Sequence, residues 1–468
     1  MSLSDETATW PATRQAAAIR NGEYKSRDLL ELMLDRIGRF DPPLNAVATL
    51  DTDRARAAAD AADRAAADGE WRGPLHGLPI TVKDAIEVAG LRSTGGAVEL
   101  AAHVPATDAP AVASLRDAGA VVFGKTNVPR WSGDIQTYNE MFGTTNNPWA
   151  TERSPGGSSG GPAVAVSCGF TSFELGTDIG GSVRIPSHCT GIFGHKPSFG
   201  VIPQRGYLDH VGGGTTDADI NVFGPLARSA EDLEMLLSVL AAPAPEMRSA
   251  WRLELPAARH PGPKGYRVGL WLDDSACPVD AEMLSILRGA ADALADAGAS
   301  VSEAHPPVPF EAQRDLFFAM IGPAVSVSAP EEHAEAVAGN HRVWLANREA
   351  RAEMQRTWAT WFEDYDAVLC PVMATPAIAH DQDGTVFERT VVINGMDRSY
   401  ADLLAWTGLI GIVGLPACVP PLPPTKAGLP VGVQVVTPYL RDLDAIRLGG
   451  ILAEVSGGGY RTPPLAQH

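Results

Sequence analysis

Residues 154–161 read SPGGSSGG and residues 175–186 read LGTDIGGSVRIP, with the apolar run PAVAVSCG between them at 162–169. Each outer stretch places a serine among glycines. Glycine beside a reacting serine permits positive φ and lets backbone N–H groups approach a ligand with no Cβ in the way. Two such sites in one short segment indicate a nucleophile and a hydrogen-bond relay that a folded-back chain brings together.

These motifs resemble the signature of the amidase signature family of serine hydrolases, which use a Ser–cis-Ser–Lys triad. In that family the nucleophile is the serine of a Gly-Gly-Ser-hydrophobic-Arg run, here Ser182. The bridging serine lies 24 positions earlier (182 − 158 = 24), which selects Ser158 rather than Ser159. The lysine belongs to a run like GLPITVKD, here Lys83. The resemblance also implies that the peptide bond between Gly157 and Ser158 is cis.

Further matches to the family are spread along the chain: GKTNVP at 124–129, FGTTNNPW at 142–149 and GLPVGVQ at 428–434. Two departures follow the nucleophile. His188 begins a His-Cys-Thr run where a small residue, Phe and Cys are expected, and His195 stands where an apolar residue is commoner. These differences concern the selectivity for substrate and not the chemistry.

The resemblance assigns roles to the residues around the nucleophile. The backbone N–H groups expected to form the oxyanion hole are those of Ile179, Gly180, Gly181 and Ser182. The residues expected to support this loop are Thr177, Asp178 and Arg184. For the Asp–Arg pair two interpretations stay open, a buried pair that fixes the loop and an ordinary surface pair.

By analogy with the family, the segment 130–138 lies near the acyl pocket. Its candidate substrate-binding residues are Trp131, Gly133, Ile135 and Gln136. Together with the aromatic residues of 310–362, these side chains favour an apolar or aryl amide as substrate, with carbamates and esters as further candidates.

Lys83 is the proposed base, and a base must be neutral near pH 7. Burial lowers the pKa of a lysine, and the flanking Pro79–Val82 run offers burial. The carboxylate of Asp84 would oppose this effect, but adjacent residues of a strand point to opposite faces. The alternative interpretation is a lysine whose amine reaches the surface.

The alternation of helical and strand patterns predicts an α/β fold. The resemblance implies a mixed twisted β-sheet covered by helices on both faces. We expect one domain over 1–468, with a signature core at about 74–200 and a possible lobe boundary in the unpatterned connection 242–264. Residues 379–398 are polar and weakly patterned, which predicts a mobile loop that could cover the active site.

Composition excludes several classes of function. The net charge of −19 argues against nucleic acid as a partner, because phosphate binding needs clustered Lys and Arg. The five cysteines are widely spaced without a CxxC pair, which indicates free thiols in a reducing compartment. No signal-peptide pattern and no membrane-length apolar run are visible, so a cytoplasmic protein is expected. The histidines lack metal-ligand spacing, and the proposed chemistry needs neither metal nor cofactor.

Two other motifs compete with this interpretation. Residues 119–126 satisfy the P-loop pattern, but its middle positions are apolar and Pro129 follows in place of a helix. Residues 157–161 satisfy the nucleophile-elbow pattern, which would need a downstream histidine such as His341 or His380. At the level of function, the alternatives are the glutaminase subunit of a tRNA-dependent amidotransferase and a non-catalytic scaffold member.

Overall fold

Strands and helices alternate along the chain in the computed structural model, which describes residues 3–329, 331–386 and 388–467. The strands are β1 (Val47–Leu50), β2 (Pro79–Lys83), β3 (Val121–Thr126), β4 (Tyr138–Asn139), β5 (Gly143–Thr144), β6 (Glu174–Asp178), β7 (Phe193–Lys196), β8 (Val222–Ala227), β9 (Arg267–Leu270), β10 (Ser300–Glu303), β11 (Ala367–Pro371), β12 (Thr390–Ile393), β13 (Met396–Ser399), β14 (Ala417–Val419), β15 (Pro421–Leu422) and β16 (Val431–Val436). The helices are α1 (Asp5–Ala8), α2 (Ala12–Arg20), α3 (Ser26–Phe40), α4 (Thr52–Ala67), α5 (Pro110–Asp117), α6 (Gly160–Ser167), α7 (Arg184–Thr190), α8 (Ala230–Leu240), α9 (Ala281–Asp296), α10 (Phe310–Val325), α11 (Glu331–Ala338), α12 (His341–Trp361), α13 (Ala405–Ile412) and α14 (Asp442–Val455).

The main sheet has the strand order β10-β9-β11-β16-β14-β7-β8-β6, and β15 pairs with β16 off this path. The strands β10, β9 and β11 run parallel, and the remaining pairs are antiparallel. This mixed sheet with its many helices confirms the predicted α/β class. Strands from late in the sequence, β14 and β16, lie in the middle of the sheet, between β11 and β7.

Two hydrophobic cores lie on opposite faces of this sheet. On β14, Ala417 and Val419 belong to one core and Cys418 belongs to the other. Because side chains alternate along a strand, the two cores are separated by the sheet itself. The first core contains apolar residues of α9, α10 and α13, and the second contains those of α3, α5 and α8.

A second, three-stranded sheet has the order β1-β3-β2. It is linked to the main sheet by α6, which packs against β2 and β3 on one side and β6 and β8 on the other. Close approach is possible at the start of this helix because Gly161 has no side chain. A Cβ there would lie 2.4 Å from the backbone N and O of Asn127. The two sheets therefore meet where the signature motif begins.

The prediction of a mobile loop over 379–398 is wrong for its second half, which forms the β12–β13 hairpin. The turn residues Asn394 and Gly395 have φ of 52° and 77°, as a two-residue hairpin turn requires. Val391 and Ile393 alternate inward to buried positions. An Asn-Gly pair after an alternating run was thus a legible hairpin signal.

Residues 242–264 contain a single short 3-10 helix, Pro245–Met247, among the regular elements of the structure. The single-domain assignment and the possible lobe boundary at this connection stay predictions. None of the described helices combines the length and the apolar character that crossing a membrane requires.

Candidate active site

Lys83 ends strand β2, whose five residues are all buried. Its Nζ lies 2.7 Å from Ser158 Oγ and 2.7 Å from Thr177 Oγ1. The lysine is fully buried, so the interpretation as a surface lysine is wrong. Burial holds the pKa of Lys83 well below 10.5, although the charges of Asp178 and Glu174 act in the opposite direction. The environment therefore favours the neutral amine.

The carboxylate next in sequence is directed elsewhere, as the strand geometry predicts. Asp84 Oδ2 accepts a hydrogen bond from the Thr94 amide at 3.0 Å. Burial raises the pKa of Asp84, and Lys125 and Thr94 oppose that rise. Asp84 thus interacts with Lys125 on its own side of the strand and does not oppose the neutral form of Lys83.

Ser158 lies immediately before α6, and the peptide bond between Gly157 and Ser158 is cis, which confirms the expectation from the family. The serine is fully buried. A Cβ on Gly157 would lie 2.8 Å from the carbonyl oxygens of Asp134 and Gln136. Glycine is therefore required where this loop meets the segment predicted to lie near the acyl pocket.

Ser182 is partly exposed, whereas Lys83 and Ser158 are fully buried. The amide of Ser159 donates to the carbonyl of Ser182 at 3.2 Å, which places the two serine loops side by side. No side-chain hydrogen bond joins Ser158 and Ser182 within the described residues. Such bonds are often long before a substrate binds. Of the three, only Ser182 is open to a substrate.

A buried ion pair holds the loop that carries Ser182. Arg184 donates to Asp178 from Nη2 at 2.7 Å and from Nε at 3.0 Å, and both side chains are fully buried. Nη1 of Arg184 donates to the carbonyl of Thr407 at 2.8 Å and to Gln434 Oε1 at 2.7 Å. Burial alone would raise the pKa of Asp178, but Arg184 holds it below its usual value. The buried interpretation of this pair is confirmed.

The peptide group between Gly180 and Gly181 has both of its polar atoms occupied. The Gly181 amide donates to an oxygen of the buried carboxylate, Asp178 Oδ1, at 2.9 Å. Thr407 Oγ1 donates to the Gly180 carbonyl at 2.6 Å. This corrects the expected oxyanion hole, because the Gly181 amide is not free. In the described chain, the neighbouring amides without an acceptor are those of Ile179, Gly180 and Ser182.

The four residues expected near the acyl pocket lie in different environments. Gly133 is exposed and lines a cavity of about 470 Å³. Trp131 and Ile135 are 8% and 6% exposed. Gln136 is buried, and its amide donates to the hydroxyl of Tyr400 at 3.0 Å. Gln136 therefore braces the segment, and a role for the other three in binding stays a prediction.

The cavity lies between the segments 129–140 and 384–389, and the triad is not among its lining residues. A buried ion pair joins the two segments. Arg389 donates from Nη1 to Asp134 Oδ2 at 2.7 Å and from Nη2 to the hydroxyl of Tyr138 at 2.7 Å. The side chains of Arg389 and Asp134 are 3% and 7% exposed. The stretch expected to be mobile is therefore anchored beside the predicted acyl segment.

The two unusual histidines are tied to the C-terminal part of the chain. His188 Nδ1 accepts from the Gly432 amide at 2.9 Å, and burial lowers the pKa of His188 to about 4. His195 Nε2 lies 3.1 Å from Asp442 Oδ1, and both side chains are buried. Their contacts explain both histidines as packing residues that connect α7 and β7 to β16 and α14.

The competing motifs have other roles. Most of the P-loop-like stretch is β3, a strand with all six residues buried. Lys125 within it donates to the carbonyl of Ile86, and burial lowers the pKa of Lys125 to about 8. In the elbow-like stretch, Ser159 Oγ donates to the carbonyl of Thr177 at 3.3 Å. Neither stretch has the exposed geometry that its motif requires.

Comparison with known proteins agrees with this geometry. The family model described as Amidase matches residues 28–444. The indoleacetamide hydrolase of Bradyrhizobium diazoefficiens is 33% identical over 461 residues, which cover 92% of this chain and 84% of that protein. The glutamyl-tRNA(Gln) amidotransferase of Deinococcus radiodurans contains a polypeptide that is 34% identical over 486 residues, which cover 97% of this chain and 98% of that polypeptide.

Among solved structures, a bacterial aryl acylamidase of the amidase signature enzymes superposes with a TM-score of 0.82 at 25% identity, covering 96% of each chain. The match of the family model over most of the chain and the agreement of the fold give one conclusion: this chain belongs to the amidase signature family of hydrolases that act on amides.

Proposed function

We propose that this chain is a serine-dependent amidohydrolase that forms an acyl-enzyme on Ser182, with Lys83 as the base and Ser158 as the relay. The observation that carries this proposal is the 2.7 Å contact between Ser158 Oγ and the Nζ of the fully buried Lys83. A desolvated amine is a base near neutral pH, and the serine it contacts is itself buried. The proton therefore has to pass through Ser158 to reach the exposed nucleophile.

In the first step Lys83 takes the proton of Ser158 while Ser158 takes that of Ser182, and Ser182 Oγ attacks the carbonyl carbon. The C–N bond of the tetrahedral intermediate then breaks, and Ser158 returns a proton to the leaving nitrogen. Water attacks the acyl-enzyme by the same relay and releases the acid. Every proton that leaves a hydroxyl is returned, so the cycle needs no added reactant beyond water.

The developing oxyanion is assigned to the free amides of Ile179, Gly180 and Ser182. The occupied Gly180–Gly181 peptide group supports this assignment, because its two hydrogen bonds fix the direction of the loop. A fixed donor costs no reorganisation at the moment of reaction, and one such donor stabilises the transition state by roughly 3–4 kcal/mol.

An apolar or aryl acyl group is the substrate class that the surroundings of Gly180 favour. A Cβ on Gly180 would lie 3.3 Å from Leu404, 3.3 Å from Phe317 and 3.7 Å from Ile321. Leu404 and Ile321 are partly exposed, so apolar side chains border the space beside the oxyanion loop. The names of two similar proteins, an indoleacetamide hydrolase and an aryl acylamidase, agree with this class. Carbamates and esters with aryl groups present the same carbonyl to Ser182.

A substrate panel tests the proposal. Purified protein is assayed with aryl nitroanilides, aliphatic amides, aryl carbamates, aryl esters and glutamine, with Ser182→Ala as the matched control. We expect turnover of aryl amides that the control lacks, and a mass increase on Ser182 when the acyl-enzyme is trapped. Preference for glutamine would instead support an amidotransferase-like activity. Absence of turnover on every member, together with no labelling of Ser182, would refute the proposal and favour a non-catalytic scaffold.

A further inference from the structure

Tyr207 lies beside the triad but belongs to none of the signature motifs. A β-bridge joins it to Ile86, which follows Lys83 by three positions. Its ring packs edge-on against Phe223, with the ring centroids 6.2 Å apart. Phe223 is the direct cross-strand neighbour of Thr177 in the β6–β8 pair. Tyr207 is 4% exposed and is thus fixed between the strand ends that carry Lys83 and Thr177.

Two hydroxyl groups act on the phenol of Tyr207, those of Thr177 and Ser132. Burial raises the pKa of Tyr207, and hydrogen bonding by these two hydroxyls opposes the rise. The Oγ of Ser132 is buried and has no other partner within the described residues. Trp131 and Ser132 have φ of 53° and 57°, a left-handed conformation that residues other than glycine adopt at a cost. The surrounding structure therefore holds the Ser132 hydroxyl in place.

The direction of the hydrogen bonds around Lys83 decides whether it can act. A neutral amine has two N–H groups and one lone pair. In the productive order the lone pair faces Ser158, and an N–H donates to Thr177 Oγ1. In the reverse order Thr177 donates to the lone pair and Lys83 donates to Ser158, so the base is blocked. The productive order requires another acceptor for the hydroxyl hydrogen of Thr177.

We propose that Tyr207 is this acceptor and acts as a positioning residue of the triad. The phenol accepts from Thr177 and donates to Ser132, so a chain of three hydroxyl groups ends on Lys83 and turns its lone pair toward Ser158. This inference rests on the proposed function, because it requires Lys83 to be the base.

Removing the phenol hydroxyl alone should reveal the effect. In Tyr207→Phe, Thr177 has only the Lys83 lone pair as acceptor, and the reverse order gains one hydrogen bond. Since a net hydrogen bond corresponds to roughly a fivefold change in population, the plateau rate at high pH should fall about fivefold. The bond from Thr177 also stabilises the neutral amine, so the midpoint of the pH profile should move to lower pH. The charges of Asp178 and Glu174 on β6 face Lys83 in both proteins and leave this difference unchanged.

The assay is the rate at which a fluorophosphonate inactivates Ser182 in the intact protein, measured from pH 6 to 10. This readout needs no knowledge of the substrate. The matched control is Tyr24→Phe, which removes another buried phenol hydroxyl, one that donates to the Gln15 carbonyl at 3.3 Å, and should react at the wild-type rate. Thr177→Ser keeps the relaying hydroxyl and should also stay near wild type. Ser132→Ala removes the last acceptor of the chain and should lower the plateau about twofold.

The outcomes separate the two proposals. A wild-type protein that is not labelled at Ser182 would overturn the proposed function itself. Labelling of Ser182 at equal rates in wild type and Tyr207→Phe would overturn only the role of Tyr207. A slower Tyr207→Phe whose midpoint moves to higher pH would mean that water reaches Lys83, a structural effect that also overturns it. If Tyr207→Phe does not fold, Ser132→Ala decides by the same two measurements.

Discussion

Replacing Lys83 by Met should alter the pH dependence of stability in a way that reports directly on the buried amine. In the folded protein Lys83 is fully buried, and its pKa lies well below 10.5. In the unfolded chain the same group is protonated up to that value. Between the two pKa values the unfolded state binds one more proton than the folded state, so the wild-type free energy of unfolding rises with pH.

The slope is fixed by one proton and equals about 1.4 kcal/mol per pH unit. Lys83→Met lacks this term. The variant leaves the hydroxyls of Ser158 and Thr177 without the amine, at about 1–3 kcal/mol each, but this cost does not depend on pH. The difference in stability between variant and wild type should therefore shift by up to about 1.4 kcal/mol for each pH unit in favour of the wild type, and become constant above about pH 10.5.

Urea unfolding at pH 7, 8, 9 and 10 measures this difference, with equal m-values as the check that both proteins unfold alike. The exposed Lys264 provides the control, because Lys264→Met should give a difference that does not change with pH. Parallel stability curves for Lys83→Met and wild type over this range would show that Lys83 is charged in the folded state. That result would refute the assignment of Lys83 as the base.

Three further predictions concern the nucleophile, a packing histidine and the anchored hairpin. Ser182→Ala should abolish turnover with an unchanged melting temperature, and Ser158→Ala should lower kcat far more than Ser159→Ala; the opposite order would favour the elbow interpretation. His188, with a pKa lowered to about 4, should make stability fall by about 3 kcal/mol as pH drops from 6.5 to 4, a loss that His188→Gln should not show. Arg389→Met leaves its buried carboxylate partner unpaired and should cost about 3 kcal/mol and raise KM, whereas an unchanged melting temperature would show that the ion pair does not anchor the hairpin.

The triad was predictable because its members carry their own local signals. Ser158 and Ser182 lie among glycines at a fixed spacing, and Lys83 follows an alternating apolar run that reads as a buried strand. The α/β class followed from the same alternation. The Asp178–Arg184 pair was visible in sequence, although its burial was not, because burial depends on strands that arrive hundreds of residues later.

The remaining parts of the site had no local signal. Thr407, which fixes the Gly180 carbonyl, lies 227 positions away in sequence, and Gln434 lies 250 positions from Arg184. These contacts arise from the strand order, which inserts β14 and β16 beside β7, and no periodicity near Thr407 reports that order. The occupied amide of Gly181 could not be foreseen for the same reason, since it depends on how the carboxylate of Asp178 is turned.

The central place of β14 and β16 has a consequence for biosynthesis. The residues of the triad leave the ribosome within the first 182 positions, but the guanidinium beside the nucleophile waits for partners at positions 407 and 434. The loop with the reactive serine therefore cannot reach its final form until nearly the whole chain has been translated. Until then, a nascent chain that already contains all three groups lacks the contacts that would make it an enzyme, and a hydrolase that must not act on its surroundings during synthesis is kept inactive by the order of its own strands.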